Sequence, residues 1–398
     1  MLSGFSILPV DSLYVHVPFC ARKCEYCAFY SEASNGDLTQ RYVGALVAEL
    51  GLIADELKPR TVFFGGGTPS LLTIAQWETV LQAMERLGLL GAQEWTIECN
   101  PATVSAAKAG LWRAFGVNRV SLGVQSLDES LLDRLGRVHS RAMVFKSYEL
   151  LRRAGFDNIN LDLMFAIPGQ TLEVWRSTLE EAVALGSEHL SSYEVIYEED
   201  TPLFHQLQAG HFRVDEDLAC AMYDLLLERA AAGGFHQYEI ANFAKHCAAV
   251  GWNDGRSEPP LIPSRACQHN INYWLGGAYH GLGPSAAGYV RGRRTKNWSN
   301  TNLYCEALAR GQRAIEWSEE LTPLRRAGET AAFGLRMNAG WNFRRFQEQT
   351  GFDLRSEWQP ELRRLLDQGW AIEGQQHFRL TPEGMRFADA AAELFLRE

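Results

Sequence analysis

The sequence predicts an α/β fold, a partial (β/α)6 TIM-like barrel followed by a smaller, mainly α-helical carboxyl-terminal domain. Three observations predict it. Short β-rich runs alternate with helical periodicity through the first 245 residues of a 398-residue chain. Those runs carry polar residues in register on one face. The composition then changes near residue 321.

The expected strands are LYVHV (13–17), TVFFGGG (61–67), EWTIEC (94–99), NRVSLGV (118–124), NINLDLM (158–164) and HLSSYEV (189–195). Between the first two, residues 38–57 place Leu38, Tyr42, Ala45, Leu46, Glu49, Leu50 and Ile53 along one stripe. Only Glu49 breaks its apolar character, and Asp37 is the expected N-cap. Further helices are expected at 73–88, 141–155 and 171–186; the last two end on glycine, a usual stop.

A barrel is favoured over an open sheet by the alternation within strands. Val120, Leu122 and Val124 share one face, and Ser121, Gly123 and Gln125 the other. Ile159, Leu161 and Leu163 oppose Asn158, Asn160 and Asp162, while Trp95, Ile97 and Cys99 oppose Thr96, Glu98 and Asn100. Two faces buried under helices have no need of such polarity; a lumen open to ligand does. Residues 246–264 lose all periodicity and read as a Gly/Pro-rich loop. Residues 265–290 are dense in aromatic residues and glycine, and from 321 the order is helix, short hairpin, helix, as in a winged-helix unit. The expected domains are therefore 11–245, 246–320 and 321–398.

Composition narrows function. A formal net charge of −10 argues against a protein whose main work is gripping nucleic acid. The amino terminus has no basic segment or long apolar run, and no stretch of 18 apolar residues occurs, so neither an export signal nor a spanning helix is expected. The eight cysteines then read as reduced thiols in the cytoplasm. Cys20, Cys24 and Cys27 form a C-x3-C-x2-C group just past the first strand, where parallel β/α proteins build their sites. Three thiolates on a [4Fe–4S] cluster leave one iron open for a substrate or cofactor. The bland readings are a zinc site completed by His16 or a distant ligand, and unliganded structural cysteines.

The cysteine spacing, with Tyr26 before the last cysteine, resembles the radical S-adenosylmethionine (SAM) signature. The resemblance implies that the open iron chelates SAM, and that an electron from the cluster cleaves its sulfonium to release a 5′-deoxyadenosyl radical. YVHVPFCARKCEYCAF, FFGGGTPS, IECNP, GVQSLDESLLDRLGRVHS, NINLDLMFAIPGQT and SSYEV further resemble the group that holds oxygen-independent coproporphyrinogen III oxidase and the HemW haem chaperones. It implies SAM contacts at Tyr14, Gly66, Gly67, Thr68, Glu98, Gln125, Arg137 and Asp162. Taken singly, each polar residue among these also reads as a satisfied barrel group, and Arg137 as a surface ion pair.

Within that group the oxidase carries Cys-x-Cys where this chain has Cys27-Ala28-Phe29, and the chaperone carries phenylalanine. His269, Asn270, Tyr273 and Trp274 resemble the chaperone's haem-binding motif; imidazole is a usual haem ligand. Without the resemblance His269 reads as a hydrogen-bonded structural histidine. The implied function is a radical SAM haem chaperone that takes haem from a donor and delivers it to acceptor haemoproteins, membrane proteins among them, as a monomer or homodimer. The alternatives are the oxidase, which turns propionates into vinyls, and a radical SAM enzyme acting on haem. Cys247 and Cys267 are conceivable further haem ligands; Cys99, Cys220 and Cys305 read as structural. Arg344, Arg345, Arg363 and Arg364 read as a solvated face or a partner surface.

Overall fold

The computed structural model describes residues 9–247 and 261–397. The amino-terminal stretch expected to lack an export signal, and the middle of the 246–264 loop, lie outside these residues. Two compact units are each assembled from separated segments: Met1–Ile159, Val195–Val214 and Ala278–Glu319 in the first, and Asn160–Glu194, Asp215–Gly277 and Glu320–Glu398 in the second.

In the first unit β1 (Val10–Val17), β2 (Leu57–Gly66), β3 (Glu94–Cys99) and β4 (Arg119–Gln125) lie side by side, all parallel. The strand His280–Leu282 pairs parallel with the free edge of β1. The alternation sorts the two faces as read. Leu13, Val15, Val62, Phe64, Trp95, Ile97, Val120 and Leu122 are buried with Trp77 and Trp112 of the connecting helices. The Phe64 and Trp77 rings stand 5.1 Å apart, and Trp77 meets Trp112 edge-on at 5.7 Å. On the other face Tyr14, Glu98 and Gln125 are only partly buried.

Two local expectations need correction. The first helix, Gly36–Ile53, is capped by Asn35, whose side chain accepts from the Asp37 N–H; Asp37 itself lies in the first turn. The helix stops at Ile53 and β2 begins at Leu57, not Thr61. Pro59 falls in that early stretch, where the β1–β2 register shifts between Val10 and Ser12, so its missing N–H costs no ladder bond. The glycine stops hold: Gly155 and Gly186 follow their helices at φ of 87° and 74°.

In the second unit β5 (Ile159–Phe165) and β6 (His189–Glu194) are parallel, and the strands Asn242–Lys245 and Phe235–Gln237 continue antiparallel from β6. The carboxyl-terminal part runs through helices, a hairpin of Ala371–Glu373 with His377–Leu380, and two short helices. Its core gathers Trp341, Phe346, Trp358, Phe378 and Phe395. Arg344 and Arg363 sit exposed beside Glu348 and Asp367 one turn on, which favours the solvated-face reading. Cys99 and Cys305 are buried as expected, but Cys220 is exposed, against its structural reading. Among the described residues no helix is long and apolar enough to cross a membrane.

Glu239 is buried in the second unit, with its carboxylate accepting from the Ala241 N–H. Burial pushes its carboxyl up to about 7. The folded state therefore holds a proton that the unfolded chain has released, so stability is lost as pH rises from about 4.5 to about 7 and is flat above. Glu239→Gln is expected to remove a slope of about 1.4 kcal/mol per pH unit across that window. Urea midpoints at four pH values check this; parallel profiles for both proteins count against it.

Candidate functional site

The three cysteines leave β1 on a loop held at several points by backbone bonds. Glu32 N–H donates to Pro18 O and Ser34 N–H to Cys20 O, while Glu25 donates to Leu135 O and accepts from Leu203. All three thiols are free and partly buried. Burial pushes the Cys20 and Cys27 thiols up, and each also feels Cys24. Each sulfur has a protein donor. Thr68 Oγ1 reaches Cys20 Sγ at 3.6 Å, Arg137 Nη1 reaches Cys24 Sγ at 3.4 Å, and the Phe29 backbone N–H serves Cys27. Such donors stabilise thiolate sulfur on a cluster. Phe29 itself points outward, 69% exposed.

Among the described residues no three His, Cys, Asp or Glu side chains converge as the ligands of a single ion do. A cubane instead spreads its thiolates over separate irons. The zinc reading built on His16 also fails on geometry. Its Nε2 lies 2.8 Å from Tyr30 O, which can only accept, so Nε2 carries the hydrogen. Nδ1 then accepts from the Tyr14 hydroxyl at 3.0 Å. Both ring nitrogens are engaged within the protein, and burial holds the ring neutral by lowering its pKa.

Within GGGTPS the protein's own packing requires glycine at 66 and 67. Gly66 has φ of 103°, and a Cβ there would stand 2.5 Å from His16 Nδ1. A Cβ on Gly67 would stand 2.8 Å from the Val17 and Phe19 carbonyl oxygens. The space they leave is filled by protein. Their N–H groups are also used: Gly66 on Glu98 Oε2, Gly67 on Val17 O and Thr68 on Phe19 O.

Arg137 is no surface ion pair. Nη2 donates to Gly123 O at 2.8 Å, Nη1 to the Cys24 sulfur, and its buried Nε has no partner. A buried guanidinium beside the cysteines with one donor still unsatisfied suits a carboxylate. Gln125 ends β4 at φ of 65°, inside a γ-turn closed by Ser126 N–H on Val124 O at 2.8 Å. Non-glycine residues rarely hold this geometry. His139 was not singled out from sequence, yet its Nε2 donates to the same Val124 carbonyl at 3.1 Å and helps fix the turn. Burial, and then Arg137, lower its pKa to about 4. Tyr14 is pushed above its usual range by burial and by Glu98.

The remaining residues belong to the second unit. Asp162 on β5 is partly buried and accepts from Asn160 Nδ2 at 2.8 Å. The haem-motif residues share one short helix, Gln268–Trp274, with Cys267 fully buried at its N-cap. His269 is 1% exposed, and its Nε2 lies 2.9 Å from the Tyr273 hydroxyl. Trp274 packs on the carboxyl-terminal core with Arg336 5.1 Å over its ring. Asn270 is partly buried. Cys247 is tied through its N–H to Ser264 Oγ.

Comparison with known proteins agrees with this arrangement. The radical SAM superfamily model matches residues 14–182, and the HemN C-terminal domain model matches 321–387. The structure of coproporphyrinogen III oxidase (HemN) from Escherichia coli, a radical SAM enzyme, covers 98% of this chain and 90% of its own with a TM-score of 0.80 at 19% identity. The fold is that of a radical SAM protein, α/β with a carboxyl-terminal helical region, and membership implies a [4Fe–4S] cluster and SAM. The heme chaperone HemW of Bacillus subtilis (strain 168) is 33% identical over 395 residues, 98% of this chain and 100% of the relative. That of Escherichia coli (strain K12) is 32% identical over 410 residues, 98% and 99% respectively. The chain belongs to the HemW family of heme chaperones.

Proposed function

We propose that Cys20, Cys24 and Cys27 hold a [4Fe–4S] cluster whose open iron takes SAM, and that the protein binds haem at the His269 helix and passes it to acceptor haemoproteins in the cytoplasm. The observation that carries the cluster is the donor set: three cysteine sulfurs on one strand-end loop, each with a protein donor, beside a buried and partly unsatisfied arginine. Full-length identity to proteins named heme chaperones supports the haem function.

When bound, the cluster supplies one-electron reduction of the cofactor's sulfonium. The chain's own residues do the rest. Arg137 offsets thiolate charge at Cys24 and offers Nε to the cofactor's carboxylate. Glu98 and the carbonyl oxygens of Gly66, Gly67 and Thr68 suit its ammonium. Gln125 and Asp162 suit ribose hydroxyls, and the Tyr14 hydroxyl is set by His16.

Ligation of iron through His269 Nε2 requires exchange of its bond to the Tyr273 hydroxyl. Haem titration followed at the Soret band is expected to show affinity weakened roughly tenfold or more in His269→Ala. Tyr273→Phe, which removes the competing hydroxyl, moves it the other way. Unchanged affinity in His269→Ala takes the residue out of the site. The fold shared with the oxidase is tested directly. Reconstituted protein given SAM, reductant and coproporphyrinogen III without oxygen is expected to return the porphyrinogen unchanged, and doubly decarboxylated product overturns the chaperone reading.

A further inference from the structure

A chain of buried hydrogen bonds crosses the second unit from Asp162 to the helix that carries His269. Asn160 Nδ2 donates to Asp162 Oδ1 at 2.8 Å, and Asn160 Oδ1 accepts from His189 Nδ1 at 2.6 Å. His189 Nε2 meets the Tyr238 hydroxyl at 2.8 Å. The Tyr238 oxygen accepts from the backbone N–H of Cys267 at 3.1 Å, and Cys267 is the N-cap of the helix Gln268–Trp274.

Chemistry fixes the direction of every proton. With its NH2 on the carboxylate, Asn160 has only a carbonyl oxygen left, so His189 Nδ1 must carry a hydrogen. In the neutral ring Nε2 is then a lone pair and takes the tyrosine proton, leaving the tyrosine oxygen to accept from Cys267. All four bonds donate the same way, from the helix toward the carboxylate. Head-to-tail chains of this kind polarise one another. His189, Tyr238 and Cys267 are fully buried and Asn160 nearly so, which keeps competing water out. Ser191 braces the chain from the side, its hydroxyl within reach of Asn160 Oδ1 and Asn242 Oδ1.

We propose that His189 and Tyr238 are positioning residues that couple the cofactor carboxylate Asp162 to the haem-motif helix. The inference rests on the reading that Asp162 meets SAM and His269 meets haem. A ribose hydroxyl donating to Asp162 shares the charge that anchors Asn160. The pull passed along the chain weakens, and the start of the helix is held less tightly. His269, sealed at its place in the unliganded chain, is then freer to turn toward haem. SAM thus raises haem affinity, and by linkage haem raises SAM affinity by the same factor.

The test uses full-length, cluster-loaded protein. Haem is titrated with and without saturating SAM, and SAM affinity is measured by equilibrium dialysis with and without haem. Wild type is expected to show the same shift both ways, about fivefold or more. Tyr238→Phe keeps the ring and deletes two links; it is expected to lose the shift and to bind haem without SAM as tightly as wild type does with it. Ser191→Ala, which touches Asn160 but lies off the chain, is expected to keep the shift, whereas a merely structural network predicts equal effects in both variants. Should Tyr238→Phe fail to fold, hydrogen exchange at the Cys267 amide in wild type decides, since SAM is expected to speed it. Binding of both ligands with no mutual shift, or no change at that amide, overturns the coupling alone. Failure of wild type to bind SAM or haem overturns the reading beneath it.

Discussion

Cys24→Ala is expected to yield folded protein that cannot hold a cluster. After anaerobic reconstitution its iron and sulfide should fall at least roughly tenfold below wild type, with loss of the sulfur-to-iron absorption bands. The expectation follows from ligand count and from the donor geometry. A cubane already one protein ligand short has no thiolate to spare. Cys24 is also the sulfur on which Arg137 Nη1 is aimed, so its removal leaves that guanidinium, with Nε already unpartnered, without its anion. The loop itself should survive. Its ties run through backbone groups, Cys27 N–H on Cys24 O and Glu25 to Leu135 and Leu203, none of which uses the Cys24 sulfur. Cys220→Ala, which removes an exposed thiol far along the chain from the signature, serves as control and should keep its iron. Electron paramagnetic resonance of the reduced wild type, with and without SAM, completes the measurement, because an open iron must change its signal when the cofactor binds. Full iron in Cys24→Ala, or zinc in wild type, would falsify the assignment.

Much of this was legible because it is local. Strand alternation separated Trp95, Ile97 and Val120 from Glu98 and Gln125 correctly, since period-two patterning records which face a helix covers. Glycine stops were legible for the same reason, a positive φ needing only one residue. The Asn35 cap was missed because two capping residues stand two positions apart, and only the backbone tells which is extended. The packing that requires glycine at 66 and 67 was not legible because it comes from residues 16–19, nearly fifty positions earlier. His139 carried no signal beyond its place in GRVHS. Its partner is a carbonyl on β4, and carbonyls leave no trace in a sequence. For His269 the sequence offered both a ligand and a hydrogen-bonded histidine. The partner Tyr273 lies one helical turn away and belongs to the same motif, so pattern alone could not separate the two.

Glu49 was the exception on the first helix, and its replacement is expected to be the most destabilising change in the first unit. The carboxylate is fully buried yet accepts three bonds: Gly283 N–H at 2.9 Å, Asn297 Nδ2 at 2.8 Å and the Tyr304 hydroxyl at 2.8 Å. All three donors come more than 230 positions later in the chain. Burial raises the carboxyl's pKa, and these donors work against the rise. The folded form therefore holds its proton more tightly than the unfolded chain does, and stability contributed here falls as pH rises from the ordinary carboxyl range toward the raised value. Glu49→Ala strands three buried donors and opens a cavity, at about 1–3 kcal/mol for each stranded group. Glu49→Gln keeps one acceptor oxygen and the volume, so urea unfolding followed by tryptophan fluorescence should order wild type, Gln and Ala in descending stability. Tyr304→Phe in the Glu49→Ala background should cost less than it does alone, because its partner is already gone. The damage also reaches the cysteines. Gly283, held by Glu49, has φ of 93° and packs so close to the His16 carbonyl that a Cβ would collide with it, and His16 in turn sets Tyr14 beside the cluster loop. Glu49→Ala should accordingly retain less iron than Glu49→Gln at temperatures where both remain folded. Equal stability and equal iron in the two variants would show that neither the filled volume nor the retained acceptor oxygen matters at this position, and would overturn the expectation.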